Sequence, residues 1–314
     1  MKSLNQPFRL FFAGAALLAA TLLPAAPSHA HESIFAWTYT TDLTPKGHSE
    51  FEQWVTWRHG KQAGDFDILD FREEIEYGIT DDFQAALYLN HAYHNAYRDF
   101  PASAGGKDGF ITGGEGVSAS HNPNTRFEQY HFDGVSTEFI YRFWSPYKDP
   151  LGVAIYFEPE IGTEEVELEW KLLLQKNFFD DRLVCALNAN YGLEWETEDP
   201  EFGTKGDRTW GRDSHFEWFA AASYRFVSNW SAGVEFWNHH EFADATEHEH
   251  SAYFVGPTLH YGAEKWWATL GFLAQLPIGS AYSRDNKDFA YHDGYILGEE
   301  HEKFYTRLKV GFNF

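Results

Sequence analysis

Apolar side chains recur at every second position through most of this chain, and that period admits one kind of secondary structure. Leu151, Val153, Ile155, Phe157 and Ile161 share a parity, as do Val166, Leu168, Trp170, Leu172 and Leu174. Leu183, Cys185, Leu187, Ala189, Tyr191, Leu193 and Trp195 repeat the pattern. So do the runs from Phe216 to Phe226, Trp230 to Phe236 and Trp266 to Leu276. A period of two marks one face of a β-strand, whereas a helix would repeat near 3.6. The opposite parity is polar or small: Glu165, Glu167, Glu169 and Lys171 in one segment, Asn188, Asn190 and Gly192 in another. Twelve strands are expected, near 48–58, 66–79, 82–95, 127–144, 150–162, 164–177, 182–195, 214–226, 229–239, 251–262, 265–277 and 301–314.

The connectors decide which way the apolar face turns. Short ones, at Thr80-Asp81, Ser145 to Lys148, Phe178 to Asp181, Val227-Ser228 and Ala263-Glu264, alternate with longer ones near 96–126, 196–213, 240–250 and 278–300. Only 59–65 and Gly162-Thr163 interrupt the long set. A soluble sandwich has no reason to alternate loop length. A membrane barrel does, with tight turns in the periplasm and long loops outside, and it faces alternate side chains to lipid. The expected fold is all-β: a transmembrane antiparallel up-and-down β-barrel of about twelve strands, a single domain over 48–314. Aromatic residues make up 18% of the chain while its mean hydropathy is only −0.48, a combination that suits such a barrel.

Residues 1–30 read as a secretory signal peptide: Lys2 and Arg9, an apolar run from Leu10 to Leu23, then Ser28-His29-Ala30 as a small-residue cleavage site. The run is too short for a spanning helix, which needs roughly 20 residues. Removing Lys2 and Arg9 takes the net charge from −23 to −25, which argues against nucleic acid as a partner. Cys185 is the sole cysteine, so no intrachain disulfide forms. Residues 31–47 form an N-terminal periplasmic or lumen segment. Within it 32–41 (ESIFAWTYTT) also reads as a strand, which would give thirteen. In the fourth strand the parity changes between Phe132 and Val135, and Asp133-Gly134 is a candidate β-bulge to absorb the change.

The last segment carries a resemblance. Phe304, Leu308, Val310, Phe312 and Phe314 lie on one face, and Lys303, Tyr305, Arg307, Lys309 and Asn313 on the other. This resembles the C-terminal aromatic insertion signal of Gram-negative outer-membrane proteins. It implies a cell outer-membrane location, recognition by the barrel-assembly machinery, and lipid and lipopolysaccharide as neighbours. A second stretch, Thr41 to Gly47, Glu50-Phe51-Glu52 and Glu74 to Asp81 with Arg72, resembles uncharacterised proteobacterial barrels. More distantly it is similar to transporter-like barrels of aromatic-compound degradation operons.

Three groups of residues could carry chemistry. Glu158, Glu160, Glu165, Glu167 and Glu169 would face the lumen near the outer mouth. They suit a cation-selective constriction, or a hydrated polar lining in which they pair with Arg72, Arg142, Lys171, Arg225, Arg307 or Lys309. His239, His240, His248 and His250 bracket an expected outer loop and are metal-ligand candidates, although no compact ligand motif is present. A solvated acidic loop accounts for them equally. His48-Ser49 and Ser214-His215 are strand neighbours pointing to opposite faces, so neither is a catalytic dyad, and no G-x-S-x-G elbow occurs. No catalytic residue and no cofactor is expected. Trp144, Tyr147, Phe178, Phe179, Trp230, Trp266 and Phe314 would form the periplasmic aromatic girdle, and Trp57, Trp195 and Trp237 the outer one. The sequence thus points to a barrel passing or binding small solutes. The alternatives are a structural or surface-binding barrel with a plugged lumen and, more remotely, a barrel enzyme.

Overall fold

The computed structural model describes residues 33–314 apart from 62–63, 98–99, 102–109, 112–115, 123, 201–202, 284–290 and 298–300; the expected signal peptide lies outside the described residues. Twelve long strands are present: β1 Ser49–His59, β2 Asp65–Thr80, β3 Phe83–Tyr97, β4 Phe127–Trp144, β5 Gly152–Gly162, β6 Glu165–Phe178, β7 Leu183–Glu198, β8 Asp213–Val227, β9 Trp230–Ala243, β10 Glu247–Gly262, β11 Trp266–Gln275 and β12 Phe304–Asn313. Each pairs antiparallel with its sequence neighbours. β12 pairs with β1 from Glu50↔Asn313 to His59↔Phe304, which closes the sheet into a barrel. Closure leaves no edge strand, as a membrane-spanning sheet requires.

The sidedness is inverted relative to a soluble protein. Ile75, Leu87, Ile155, Leu172, Val234 and Leu270 are exposed on the outer wall, while Glu74, Gln84, Glu138, Asn188, Glu235 and Thr269 are buried inside it. The aromatic residues expected at the tight-turn end are all exposed. Trp237 departs from expectation. It stacks on Phe254 at 4.4 Å and on Phe219 at 5.8 Å inside the barrel, and so does not belong to the outer girdle. Its odd position on β9 shares the inward face with Glu235 and His239.

Two local features differ from or refine the sequence reading. The register of β3 with β4 jumps from Asn90↔Gly134 to His91↔Phe132, so Asp133 is the extra residue of a bulge. Gly134 is needed there because a Cβ would lie 2.6 Å from Ile161 O and 2.7 Å from Gly162 Cα. The region 240–250 is not a long loop. β9 and β10 continue to Ala243 and from Glu247, joined by a turn with Asp244 at φ 50° and Ala245 at φ 59° and Thr246 N donating to Ala243 O. Two successive left-handed residues define a tight hairpin turn that normally advertises itself with Gly or Asn. Here neither is present, and Glu and His on both faces conceal the alternation.

Residues 33–47 do not add a thirteenth strand. They run inside the barrel and end at an isolated bridge from Lys46 to Gly78. From the other end, Val117 packs on the cluster of Phe66, Ile68 and Phe127, while Ile296 is buried beside Phe254 and Leu273 and Leu297 is buried next to it in sequence. The lumen is filled from both directions.

Candidate functional site: the lumen and its N-terminal segment

The N-terminal segment is held by polar side chains of the wall that bind its backbone. Glu235 on β9 accepts Ala36 N at 2.7 Å and Trp37 N and Thr38 N at 2.9 Å, with Thr38 Oγ1 at 3.1 Å. Asn188 on β7 both accepts from Tyr39 N and donates to Tyr39 O. Gln175 on β6 accepts Thr41 N at 2.6 Å, and Gln84 on β3 accepts Thr44 N at 2.9 Å. Glu76 accepts the Thr44 hydroxyl. The segment therefore crosses from β9 to β2, satisfying its N–H groups on wall side chains because it has no strand partner. Apolar anchors add to this: Phe35 packs on Ala186 and Ala221, and Leu43 on Ile140, Ala154 and Leu173. Next to the segment, between Ser33, Tyr39 and Lys309, the free space holds no more than about one water molecule.

The basic residues divide into two groups. Arg72 meets Glu158 and lies 4.0 Å over the Tyr88 ring. Arg307 donates to Ala36 O at 3.1 Å and Thr56 Oγ1 at 2.8 Å, and Lys309 sits 3.4 Å from Glu52 and 2.8 Å from Ser33 Oγ. These cations stand against the N-terminal segment and its wall. Arg142 caps the tight-turn end, 3.1 Å from Asp82, and there also donates to Thr41 O at 3.2 Å. Arg225 faces inward at that same end, where its backbone is tied to Arg182, so neither pairs with the acidic cluster. Of the six cations the sequence offered as partners for those glutamates, Arg72 meets Glu158 and Lys171 meets Glu169; Arg307 and Lys309 bind the N-terminal segment and its wall, and Arg142 and Arg225 sit beside the tight turns, at the wrong height.

The acidic cluster extends further than its five expected members. Cross-strand pairing sets Glu158 beside Glu169, Glu160 beside Glu167, Glu167 beside Glu194 and Glu165 beside Glu196. Directly opposed residues point to the same side with Cβ atoms about 4.5–5.5 Å apart. Lys171 offsets Glu169 at 2.7 Å, and His215 lies 2.8 Å from Glu194 and 3.9 Å from Glu167. The sequence reading missed Glu194, Glu196 and His215 because register, which brings them over, is not visible in one strand at a time.

The histidines are arranged differently from expectation. Opposed residues on β9 and β10 share a face, so His239 and Glu241 point inward with His250. His240 and His248 occupy the other face, where His248 lies against Tyr282 at 4.1 Å. The four therefore do not form one ligand set. His239 is flanked by Glu217 at 3.1 Å and Glu241 at 2.9 Å. The residue that joins it is His301, just before β12, with ring centroids 4.6 Å apart. Arg58 and Lys61 fix this stretch: both contact Glu302, at 2.9 and 3.0 Å, and Lys61 Nζ also binds His301 O at 2.8 Å. Burial alone would raise the Glu302 carboxyl, but those two cations hold it below the usual carboxylate value. Burial, with help from His239 and His250, holds the His301 imidazole well below its ordinary pKa and hence neutral.

Outside the lumen, a clamp joins long loops. Arg208 reaches Glu164 at 3.0 Å and Asp199 at 2.8 Å, and Ser118 donates to Asp199 at 2.5 Å. The Arg208 and Ser118 hydrogen bonds hold the Asp199 carboxyl below its ordinary pKa.

Comparison with solved structures supports this fold. The COG4313 outer membrane channel from Pseudomonas putida F1 superposes with a TM-score of 0.55 at 9% identity, over 87% of this chain and 98% of that one. The NanC porin aligns with a TM-score of 0.47 at 12% identity, over 83% of this chain and 98% of that one. At these identities the first likeness establishes an outer-membrane barrel fold and nothing finer, and the second adds no weight. No curated protein matches the chain. Residues 27–314, which include every strand of the barrel, match one family over their whole length, and the chain belongs to it: the Family of unknown function (DUF6662).

Proposed function

We propose that this protein is a solute-passing barrel of the Gram-negative outer membrane, closed at rest by its own residues 33–47 and favouring cationic solutes. The observation that carries the reading is the way the segment is held. Wall side chains, not a neighbouring strand, grip its backbone, at Glu235, Asn188, Gln175 and Gln84, so it can leave without breaking the sheet. The wall beneath it is polar and would hydrate once uncovered, as a conduit lining must. The apolar band outside, the girdle at the tight-turn end and the neighbouring outer-membrane channel fold support the location. Export would use the signal peptide over 1–30, and the assembly machinery would read Phe304, Leu308, Val310, Phe312 and Phe314. Lipid and lipopolysaccharide would surround the wall.

A second reading, a surface-binding barrel permanently plugged, draws on the apolar anchors Phe35 and Leu43, which a frequently opening plug does not need. Planar-bilayer recording separates the two. Refolded protein lacking 33–44 should conduct steadily where the full chain opens rarely, and no current from either in any salt would remove the conduit. The cation preference rests on Glu160, Glu165, Glu167, Glu194 and Glu196. Replacing Glu165, Glu167 and Glu169 by Gln should lower the cation-to-anion permeability ratio of the opened barrel, and an unchanged ratio would remove that part.

A further inference from the structure

We infer that His239, His250 and His301 form a binding site for a divalent first-row transition-metal ion, with Glu241 beside them as a further oxygen ligand. One potential ligand atom from each of the three histidines lies within 4.8 Å of the others, and all three residues are buried. Nε2 of His301 is enclosed and has no hydrogen-bond partner among the described residues, while its Nδ1 faces Tyr305 Oη at 3.4 Å. A buried polar atom left unsatisfied is costly and calls for an explanation, and a metal ion supplies one. His301 is not in this place by default. The Arg58–Glu302–Lys61 bridge and the Lys61 bond to its carbonyl hold the backbone that carries it.

The donor chemistry narrows the ion. Imidazoles with a carboxylate suit Zn, Ni or Cu, whereas Mg and Ca take oxygen ligands. His239 has a carboxylate at each ring nitrogen, Glu217 at Nδ1 and Glu241 at Nε2. A metal at Nε2 would displace Glu241, which then stands ready to coordinate, and would leave Glu217 holding the opposite N–H. That is the carboxylate–histidine–metal arrangement that orients imidazole ligands. A tetrahedral ion with bonds near 2.0–2.1 Å holds its nitrogen ligands about 3.3 Å apart, so side-chain rotation closes the remaining gap. The rings of His239 and His250 are stacked at 5.7 Å, and His301 stands perpendicular to both. The site stands whether or not the lumen conducts.

The test uses untagged, detergent-refolded full-length protein and Co2+ as a visible probe, with Zn2+ as competitor. One Co2+ per chain should give tetrahedral d–d bands that Zn2+ abolishes. His301→Gln should weaken binding by at least roughly tenfold, the lower end of what loss of even an outer partner costs at such sites. His240→Gln and His248→Gln should bind as the parent does. His250→Gln provides the same reading if His301→Gln fails to show heat-modifiable migration. X-ray absorption of the Zn2+-loaded parent needs no variant, and should show a first shell dominated by imidazole nitrogen. The inference falls if the folded parent binds no Co2+ or Zn2+, if His301→Gln binds equally well, or if the shell is mainly carboxylate oxygen, which would put the ion at Glu167, Glu194 and His215.

Discussion

Replacing Glu235 by Gln should loosen the N-terminal segment without disturbing the barrel. The Glu235 carboxylate receives three consecutive backbone N–H groups and one hydroxyl, Ala36 N on Oε1 and the rest on Oε2. Glutamine is nearly isosteric but offers one oxygen. With that oxygen at the Oε2 position, the Trp37 and Thr38 bonds survive as neutral ones, while the amide NH2 opposes Ala36 N–H, donor against donor. Hydrogen bonds to charged groups contribute about 1.5–3 kcal/mol and neutral ones about 1. The variant should therefore lose about 3–5 kcal/mol of docking energy, which raises the undocked population by roughly two to four orders of magnitude. Two assays read this. Single-channel recording should show closed times shortened by a comparable factor. In a Cys185→Ser background, Ala36→Cys, buried at 2% exposure, should react with a water-soluble thiol reagent much faster when Glu235→Gln is added. Gly78→Ala offers an independent approach from the far end, because a Cβ there would collide with the carbonyls of Thr44 and Pro45. Equal labelling rates and equal closed times in the parent and both variants would refute the idea that these contacts hold the segment shut.

Acidification should release the stretch around His301. A neutral, depressed imidazole stabilises the docked form fully above its free pKa of about 6.5 and loses that contribution as pH falls below it. Glu302 acts in the same sense from about pH 4.3 downward, again because its folded pKa is the lower one. Protection factors at residues 295–297 and 301–303, corrected for the slower intrinsic exchange at low pH, should therefore be lower at pH 5 than at pH 7.5, and the reverse order would contradict the assignment. Gly134→Ala should lower stability by about 1–3 kcal/mol through crowding against β5, read as a lower heat-modification temperature; an unchanged temperature would mean the bulge relaxes freely. Deleting Phe314 should reduce the assembled fraction in the outer membrane while leaving refolding in detergent nearly unchanged, and equal assembly would remove the insertion-signal role. Asp199→Asn should speed proteolysis of the 196–213 loop through loss of the Arg208 and Ser118 contacts, whereas unchanged cleavage would show that the clamp is ornamental.

Much of the barrel could be read from the chain because period two is a local property. Leu168, Trp170 and Leu172 announce one face of β6 without help from any neighbour. Connector lengths then fix the up-and-down order. What needs register could not be read. Glu194 comes to Glu167, and His301 to His239, across contacts between segments distant in sequence. The segment Ile34 to Thr41 alternates like a strand, yet its partners turned out to be side chains rather than another backbone, a distinction periodicity does not carry. The His239–His250 hairpin was hidden for a different reason: its turn uses Asp244 and Ala245 where Gly or Asn would have signalled it.

The closing seam also constrains the order in which this molecule can be made. Ser49 and Phe314 exchange backbone hydrogen bonds at 3.0 Å, right where the N-terminal segment leaves the interior. That pairing joins the two ends of the strand sequence, the strand pairing with the largest loop-closure cost in the barrel, and such contacts form late. The wall side chains that bind residues 36–44 stand on β3, β6, β7 and β9, away from the seam, so those contacts do not wait for it to close. Docking of the segment and closing of the seam are thus separate events in the making of the barrel. A chain shortened at its N-terminus and one whose plug has merely come undocked would reach the same open shape by different folding histories.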